Sequence, residues 1–282
     1  MEFIRTLDVK FDVGDATRLT VDSQSGTVAV RGDGVRVVRV EVVARLWAED
    51  DAEADDQAEL IRRAIQHQGG KVTVRAPALL RPRPFLFFGH SRPRVDYQIT
   101  VPTKTEAKID NRNGRIEVEA ISGPLRIESR SGKISVSDVT SDVEIQSRSG
   151  AVQAESIGGS LDVESRSGSM RIKSCGGDAS LESRSGSLTI EDVGGRLKAG
   201  IRSGSFKYAG AVRGSFDIDV TSGSVRLALD PDSRFFLDAE AISGSVTSDL
   251  RLREDGSGGR PAKNAPKVRI RTVSGSIHIA SN

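Results

Sequence analysis

The sequence predicts an all-β protein, a parallel β-helix or β-solenoid with 18-residue coils, plus one amphipathic helix and an irregular loop in an N-terminal insert. The first observation is the tetrapeptide Ser-Arg-Ser-Gly, which recurs every 18 residues. The second is the alternation of apolar and polar residues on both sides of it, which is typical of short strands. Two strands and two turns in 18 residues cannot bury an apolar face alone, so we expect successive units to stack. A sandwich of antiparallel hairpins would satisfy the same alternation. The four tetrapeptides begin at Ser129, Ser147, Ser165 and Ser183.

Superposing the repeats places like residues in columns, which is the expected signature of stacked coils about 4.8 Å apart. A second turn in each unit is marked by a pair of glycines, for which we expect left-handed backbone angles. The clearest apolar column holds Leu125, Val143, Leu161, Ala179 and Leu197, and the glycine pairs are Gly158-Gly159, Gly176-Gly177 and Gly194-Gly195.

The chain divides into three predicted parts. Residues 1–34 supply the first strands, residues 35–94 form an insert, and residues 95–282 form the repeat solenoid. Within the insert, residues 53–68 carry apolar side chains at helical spacing, with acids early and arginines late. We expect this helix to cap a solenoid end or to cover one sheet face. Residues 253–267 look like a loop between the last two coils.

The segment from Val95 to Val136 has Val101-Pro102 closing an extended strand, followed by repeated strand, Ser/Asn-Gly, strand units. This pattern resembles the bacterial β-strand-repeat family of unknown function labelled "putative adhesin", with a likeness to the GIN domain. The resemblance covers the chain from about Leu19 to the C-terminus. It implies a β-helix-like solenoid and an envelope or surface setting, and it supplies no catalytic residues.

Residues 71–94 form a predicted basic and aromatic loop with six Lys or Arg, no acid and four prolines. Such a composition suits an apolar insertion into a headgroup region, where cations meet phosphates. The alternatives are that the phenylalanines plug the open end or side of the solenoid, or that the loop contacts a protein partner. The candidate binding residues are Phe85, Phe87, Phe88, Arg81, Arg83, Arg92 and Arg94.

One register position of the repeat holds an arginine in six successive units. In a solenoid these cations would form a ladder at strand spacing. On the same outward face, two residues earlier, lie Asp110, Glu128, Gln146, Glu164 and Glu182. One interpretation is structural, since the acids would offset the arginines on a solvated face. The other is a binding strip for an anionic polymer such as a teichoic or uronic-acid chain. The ladder is Arg112, Arg130, Arg148, Arg166, Arg184 and Arg202.

Composition excludes several function classes. The 41 Lys plus Arg against 39 Asp plus Glu give a net charge of +2, so we expect no nucleic-acid partner. Three scattered histidines predict no metal site, and the chain lacks a phosphate-binding loop and a Gly-x-Ser-x-Gly motif. The single cysteine, Cys175, lies in an inward column and is predicted to be a small buried residue. We therefore expect neither catalytic residues nor a cofactor.

These observations leave three functional hypotheses. The first is a non-enzymatic scaffold that docks a protein partner or a membrane surface through the loop at residues 79–94. The second is an adhesin-like surface binder of an anionic polymer through the arginine ladder. The third is a filament assembled by end-to-end coil stacking. Because the chain shows neither a signal peptide nor a long apolar segment, we expect a cytoplasmic location with association to a membrane.

Overall fold

A computed structural model describes residues 1–77, 93–250 and 265–281. The chain forms two compact units, Met1–Ser141 and Asp142–Asn282, and the predicted all-β class is confirmed. The first unit contains β1 (Glu2–Asp12), β2 (Ala16–Ser25), β3 (Val28–Asp33), β4 (Val37–Trp47), α1 (Asp51–Arg63), β5 (Ile65–Gln68), β6 (Lys71–Arg75), β7 (Arg94–Pro102), β8 (Lys104–Asn113), β9 (Ile116–Glu119), β10 (Leu125–Ser131) and β11 (Ile134–Val139). The second contains β12 (Val143–Ser149), β13 (Val152–Ile157), β14 (Leu161–Cys175), β15 (Ala179–Val193), β16 (Leu197–Val212), β17 (Phe216–Leu229), β18 (Phe236–Ser248) and β19 (Lys267–Ser281).

The strands of the second unit pair in parallel, which contradicts the alternative of antiparallel hairpins for its described residues. Leu161 pairs with Ala179, and Ala179 pairs with Leu197, so neighbouring strands are offset by one repeat. The apolar columns face inward and are almost fully buried. Burying each valine, leucine or isoleucine of these columns contributes about 1.5–3 kcal/mol, which explains why the alternation specifies the fold so strongly.

The Ser-Gly turn places its glycine at a positive φ, for example +137° at Gly186. A Cβ added at Gly186 would overlap the carbonyl oxygen of Gly168 in the neighbouring coil. Glycine is therefore required here for two independent reasons, the backbone angle and the close approach of two chains. The same overlap recurs at Gly168, Gly204, Gly223, Gly275 and Gly244.

The prediction for the second turn is wrong in one respect. The left-handed residues are not the glycine pairs but the residues two positions before each pair, such as Ser174, with a φ of +55°. The glycines Gly176 and Gly194 are needed for space, because a Cβ at Gly194 would overlap the carbonyl oxygen of Gly176. The left-handed residues at this turn are Ala120 and Asp138 in the first unit and Ser156, Ser174 and Asp192 in the second.

In the first unit, parallel coils meet an antiparallel edge. On one side of the Ser25-Gly26 turn, β2 pairs in parallel with both β6 and β8. On the other side, β3 pairs in parallel with β7 and β9. Strand β4 then pairs antiparallel with β7 and with β1. The predicted insert thus contributes β6 and the start of β7 to the coils.

The predicted helix at residues 53–68 is wrong at its C-terminal end. Helix α1 starts after the N-cap Asp50 and ends at Arg63, where Ala64 caps it. The following residues form β5, which pairs antiparallel with β6 through a tight turn at Gly69 and Gly70. Both glycines have positive φ angles, +54° and +74°, as a type I′ hairpin requires. The helix lies against β1 and β4, where Arg5 pairs with two of its acids.

The end of the second unit departs from the order of the chain. Strand β19 pairs with β17 on one side and with β18 on the other. The last repeat of the sequence is therefore inserted between the two repeats that precede it, and β18 is the outermost strand. The predicted loop at residues 253–267 lies largely outside the described residues, and Lys267 is the first residue of β19.

Candidate functional site

The arginines of the repeat lie directly before the Ser-Gly turns. In each unit the first serine of Ser-Arg-Ser-Gly points inward, the arginine points outward, and the second serine and glycine make the turn. This alternation follows from strand geometry, in which successive side chains point to opposite faces. Every arginine of the predicted set is exposed to solvent.

Four of these arginines belong to the second unit, and we call Arg148, Arg166, Arg184 and Arg202 the arginine ladder of that unit. The serines on both sides of Arg166 pair with those on both sides of Arg184, so the two arginines occupy equivalent positions on neighbouring strands. In the first unit, Arg112 and Arg130 are likewise flanked by paired residues. Neighbouring strands lie about 4.8 Å apart, which makes the ladder a regular row of cations.

The described ion pairs near the ladder involve other cations. In the described part of the second unit, no ion pair forms at any of the four ladder arginines. Glu182 pairs instead with Lys198 at 3.7 Å. In the first unit, Glu128 pairs with Arg126 at 3.2 Å and with Lys108 at 3.7 Å. Two of the four ladder arginines have an acid two residues earlier, Glu164 before Arg166 and Glu182 before Arg184, and within the described residues neither acid forms an ion pair with its arginine.

The ladder has a defined end. The strand register places Thr221 opposite Arg202, Val273 opposite Thr221, and Ile242 opposite Val273. Val273 is 48% exposed and Ile242 is 74% exposed. The outward column that carries arginine in four successive coils thus becomes neutral and then apolar in the last three.

The first serine of each tetrapeptide has a structural role that the sequence analysis missed. Ser147 and Ser165 are buried in the interior, as are their counterparts in the neighbouring repeats. The Ser165 hydroxyl donates to the carbonyl oxygen of Ser167 at 3.3 Å, whereas the Ser147 hydroxyl has no hydrogen-bond partner among the described residues. The strict alternation with Val143 and Ile145 was a sufficient signal for this inward orientation.

The strands on both sides of the basic and aromatic loop belong to the coils. Strands β6 and β7 pair with β2 and β3, the two strands that flank Ser25-Gly26. The Ser25 hydroxyl donates to the carbonyl oxygen of Pro93 at 2.8 Å. Arg94 begins β7 and pairs with Asp96 at 3.1 Å. The other predicted binding residues lie outside the described residues: Arg81, Arg83, Phe85, Phe87, Phe88 and Arg92.

Other chemistry is sparse in the described residues. Cys175 is buried, as predicted, and burial raises the pKa of its thiol above the usual value. Across residues 1–77, 93–250 and 265–281 there is no group of three metal-ligating side chains. The single described helix is too short and too polar to cross a membrane.

The parallel coils, the turn glycines and the outward arginine column define a β-solenoid-like repeat protein. The chain belongs to the Toastrack DUF4097 family, whose model matches residues 16–280. This match confirms the resemblance to the family labelled "putative adhesin". A search of curated proteins finds no match.

Several solved structures are similar to this chain. One is titled a "putative adhesin" from Parabacteroides distasonis, with 13% identity and a TM-score of 0.44 over 98% of this chain and 97% of that one. A second, titled a "putative cell adhesion protein" from Clostridium sporogenes, has 12% identity and a TM-score of 0.30 over 100% of both chains. A third is titled a "Putative lipid binding protein" from Parabacteroides distasonis, with 12% identity and a TM-score of 0.34 over 97% and 96%.

Proposed function

We propose that this chain is a non-enzymatic binding scaffold whose arginine ladder binds a linear anionic polymer, such as a teichoic or uronic-acid chain. The observation that carries the proposal is the row of four exposed guanidinium groups without ion-pair partners in the described residues. Two such cations held at strand spacing repel each other by about 0.9 kcal/mol in water. A bound row of anions would offset this repulsion and would accept charge-assisted hydrogen bonds from the guanidinium groups.

The later coils argue against a structural requirement for arginine. The glycines Gly223, Gly275 and Gly244 have φ angles of +145°, +153° and +148°, close to the +146° of Gly204. Yet the residue at the arginine position in these three coils is a threonine, a valine and an isoleucine. The turn therefore forms equally well without the arginine, so the turn geometry does not explain why four successive coils carry one.

The proposal includes the winding of the chain. We infer that the repeat array forms a parallel β-helix with 18-residue coils, since residues 18 positions apart pair in parallel in β14, β15 and β16. Such a scaffold repeats any outward residue at a constant spacing, which a polymer with a constant charge repeat can match.

A second candidate function is docking through the loop at residues 79–94, on a membrane surface or a protein partner. It is favoured by the strands before and after the loop, because β6 pairs with β2 and β7 pairs with β3, the two strands that flank the Ser25-Gly26 turn. Its four arginines and three phenylalanines suit contact with anionic headgroups. This version places the protein in the cytoplasm at the inner membrane surface, whereas polymer binding places it in the envelope, and cell fractionation distinguishes the two locations.

The ladder is tested by affinity for polygalacturonate at low salt, with neutral dextran as the polymer control. Replacing both Arg148 and Arg166 by serine is expected to weaken binding about tenfold, from roughly 0.7 kcal/mol per lost contact. The matched control replaces Arg171 and Arg226 by serine, because these exposed arginines lie on the other side of the turn and the loss of charge is the same.

The outcomes separate the interpretations. Equal weakening by the ladder and control variants would show that only net charge matters and would overturn the ladder proposal. A large loss of melting temperature in the ladder variant, with polymer binding retained, would establish the structural role instead. Binding to phosphatidylglycerol vesicles that is lost when Phe85, Phe87 and Phe88 become serine would assign the surface to the loop.

A further inference from the structure

Strand β18 ends the second unit with an unpaired edge. It pairs in parallel with β19, and no other strand of the described residues pairs with it. One whole row of its backbone N–H and C=O groups is therefore without a strand partner within residues 142–250 and 265–281. Exposed edges of this kind are templates for pairing with another chain.

Within residues 142–250 and 265–281, this edge lacks the features that proteins use to prevent such pairing. The strand, Phe236–Ser248, contains neither proline nor lysine nor arginine. Its two acids are neutralised by the neighbouring strand, since Asp238 pairs with Lys267 at 3.0 Å and Glu240 lies 3.8 Å from Arg271. An edge strand with its charges already paired presents no repulsive group to a second strand.

The interior of the solenoid is also open at this end. Val246 continues an inward column whose members in the preceding coils, Val225 and Ile277, are fully buried, yet Val246 is 44% exposed. Nothing in the described residues covers it. Ile242 adds a 74% exposed side chain one strand beyond Val273. Within the described residues of the second unit, the exposed large apolar side chains all lie on β18 and β19, as expected for a surface that is covered by a partner.

The shape of the edge determines which partner fits. The strand bends at the Ser243-Gly244 turn, so a straight peptide could pair with only one of its two arms. The turn divides β18 into a first arm, residues 236–243, and a second arm, residues 244–248. If a two-fold axis passes through the turn, the first arm of one copy lies beside the second arm of the other copy, and both pairs of arms are antiparallel. We propose that β18 is a dimerisation edge on which a second copy of this chain pairs through its own β18.

The pattern of side chains supports this arrangement. If Ser243 lies opposite Gly244 of the second copy, the inward Ala241 lies opposite the inward Val246 of that copy, and Glu240 lies opposite Thr247. Apolar residues then cover the open interior of both copies, and Glu240 meets no like charge. A one-residue change of register would place inward residues opposite outward ones.

The two-fold arrangement closes after two copies. Both chains use the same edge, so no equivalent edge remains for a third copy. A head-to-tail filament would instead require β18 to meet a different surface of the next copy. The dimer proposal therefore differs from the filament hypothesis in stoichiometry, and it does not depend on the arginine ladder.

Analytical ultracentrifugation of the full chain tests the proposal, with a dimer expected at about 50 μM, as for modest affinities. Replacing Ile242 by lysine adds a charge at the edge and is expected to raise the dimer dissociation constant by roughly 100-fold. The matched control is Thr221→Lys, which adds the same charge in the same outward column but two strands from the edge. It is expected to leave the dimer unchanged.

A cross-linking experiment reports the register directly. Mixing the Ile242→Cys variant with the Ser245→Cys variant should give a disulfide-linked heterodimer, because directly opposite residues of antiparallel strands lie within disulfide range. Neither variant alone should cross-link as efficiently, and the buried Cys175 remains as an internal control. A monomer at all concentrations, a dimer that survives Ile242→Lys, or a larger polymer would each overturn the proposal.

Discussion

The second unit has early coils, formed by β14, β15 and β16, and late coils, formed by β17, β19 and β18. The two groups have the same backbone conformation at the Ser-Gly turn but differ in the side chains beside it. Every coil has a Ser-Gly turn with a positive φ at the glycine. The early coils place arginine on the outward side of this turn, whereas the late coils place Thr221, Val273 and Ile242 there. The inward residue changes as well, from serine to Ile201, then to valine, threonine and alanine.

This difference separates the positions that build the coil from those that decorate it. Glycine is kept because two backbones approach at that point and because the φ angle is left-handed. Arginine and the inward serine are replaced without a change of turn, so the backbone does not require them. The surface of each coil can therefore vary while the scaffold stays constant, which is the general advantage of a repeat architecture.

The largest expected effect is the loss of a turn glycine. Replacing Gly186 by alanine brings a Cβ onto the carbonyl oxygen of Gly168 and forces a left-handed φ of +137° on alanine. We expect a loss of about 3–5 kcal/mol in the free energy of unfolding, measured by urea denaturation followed by circular dichroism.

The control for this variant is a glycine that lies in a strand. A Cβ at Gly200 meets only the Cγ of Glu182, at 3.9 Å, and the φ of Gly200 is not left-handed. Gly200→Ala is expected to stabilise the protein by about 0.5–1 kcal/mol. If both variants lost the same stability, the turn glycines would be no more special than a strand glycine.

The regular coils were predictable from the sequence because period and alternation act together there. A step of 18 residues assigns the columns, and period 2 assigns the inward face, so Leu161 opposite Ala179 follows from counting. The order of the last strands could not be predicted, because every coil offers the same Ser-Gly turn and the same alternation. Nothing in the sequence indicates that β19 rather than β18 lies next to β17.

The other differences arise from local competition. The segment Ile65–Gln68 continues the apolar spacing of α1, yet two left-handed glycines after it make a hairpin with β6. Hairpin pairing thus prevailed over helical periodicity. At the ladder, the sequence placed acids near the arginines correctly, but it could not show that Glu182 reaches Lys198 instead. Which cation an acid pairs with depends on how far the two side chains extend between neighbouring strands.

An intermediate effect is expected from the inward serines of the early coils. The Ser147 hydroxyl is buried without a hydrogen-bond partner in the described residues, so Ser147→Ala removes an unfavourable buried group. We expect a gain of about 1 kcal/mol in the free energy of unfolding. Ser165→Ala is the control, because it also removes a hydrogen bond of 3.3 Å to the carbonyl oxygen of Ser167 and should gain less. Equal gains would mean that this bond contributes nothing.

The smallest effect concerns one outward acid whose surroundings differ between the early and late coils. Asp162 lies opposite Glu144 of the adjacent strand in the β-sheet register. Partial burial first, and then Glu144 and Glu182, raise the pKa of Asp162 above its usual 3.8. At the equivalent position of β17, Asp217 lies between Lys198 and Arg269. The late coil thus places its acid between two cations, whereas the early coil places Asp162 between Glu144 and Ser180.

This contrast predicts opposite responses to the same substitution. Because folding raises the pKa of Asp162, keeping its carboxylate ionised opposes folding at every pH above the raised value. The penalty disappears as the pH falls below 3.8, where the carboxyl is protonated in both the folded and the unfolded chain. Asp162→Asn should therefore increase the free energy of unfolding at pH 7 and leave it unchanged at pH 3. Asp217→Asn should decrease it at pH 7, because the substitution removes an anion between two cations. Urea denaturation of both variants at the two pH values measures this, and the same sign of change for both at pH 7 would show that the neighbouring charges do not control either site.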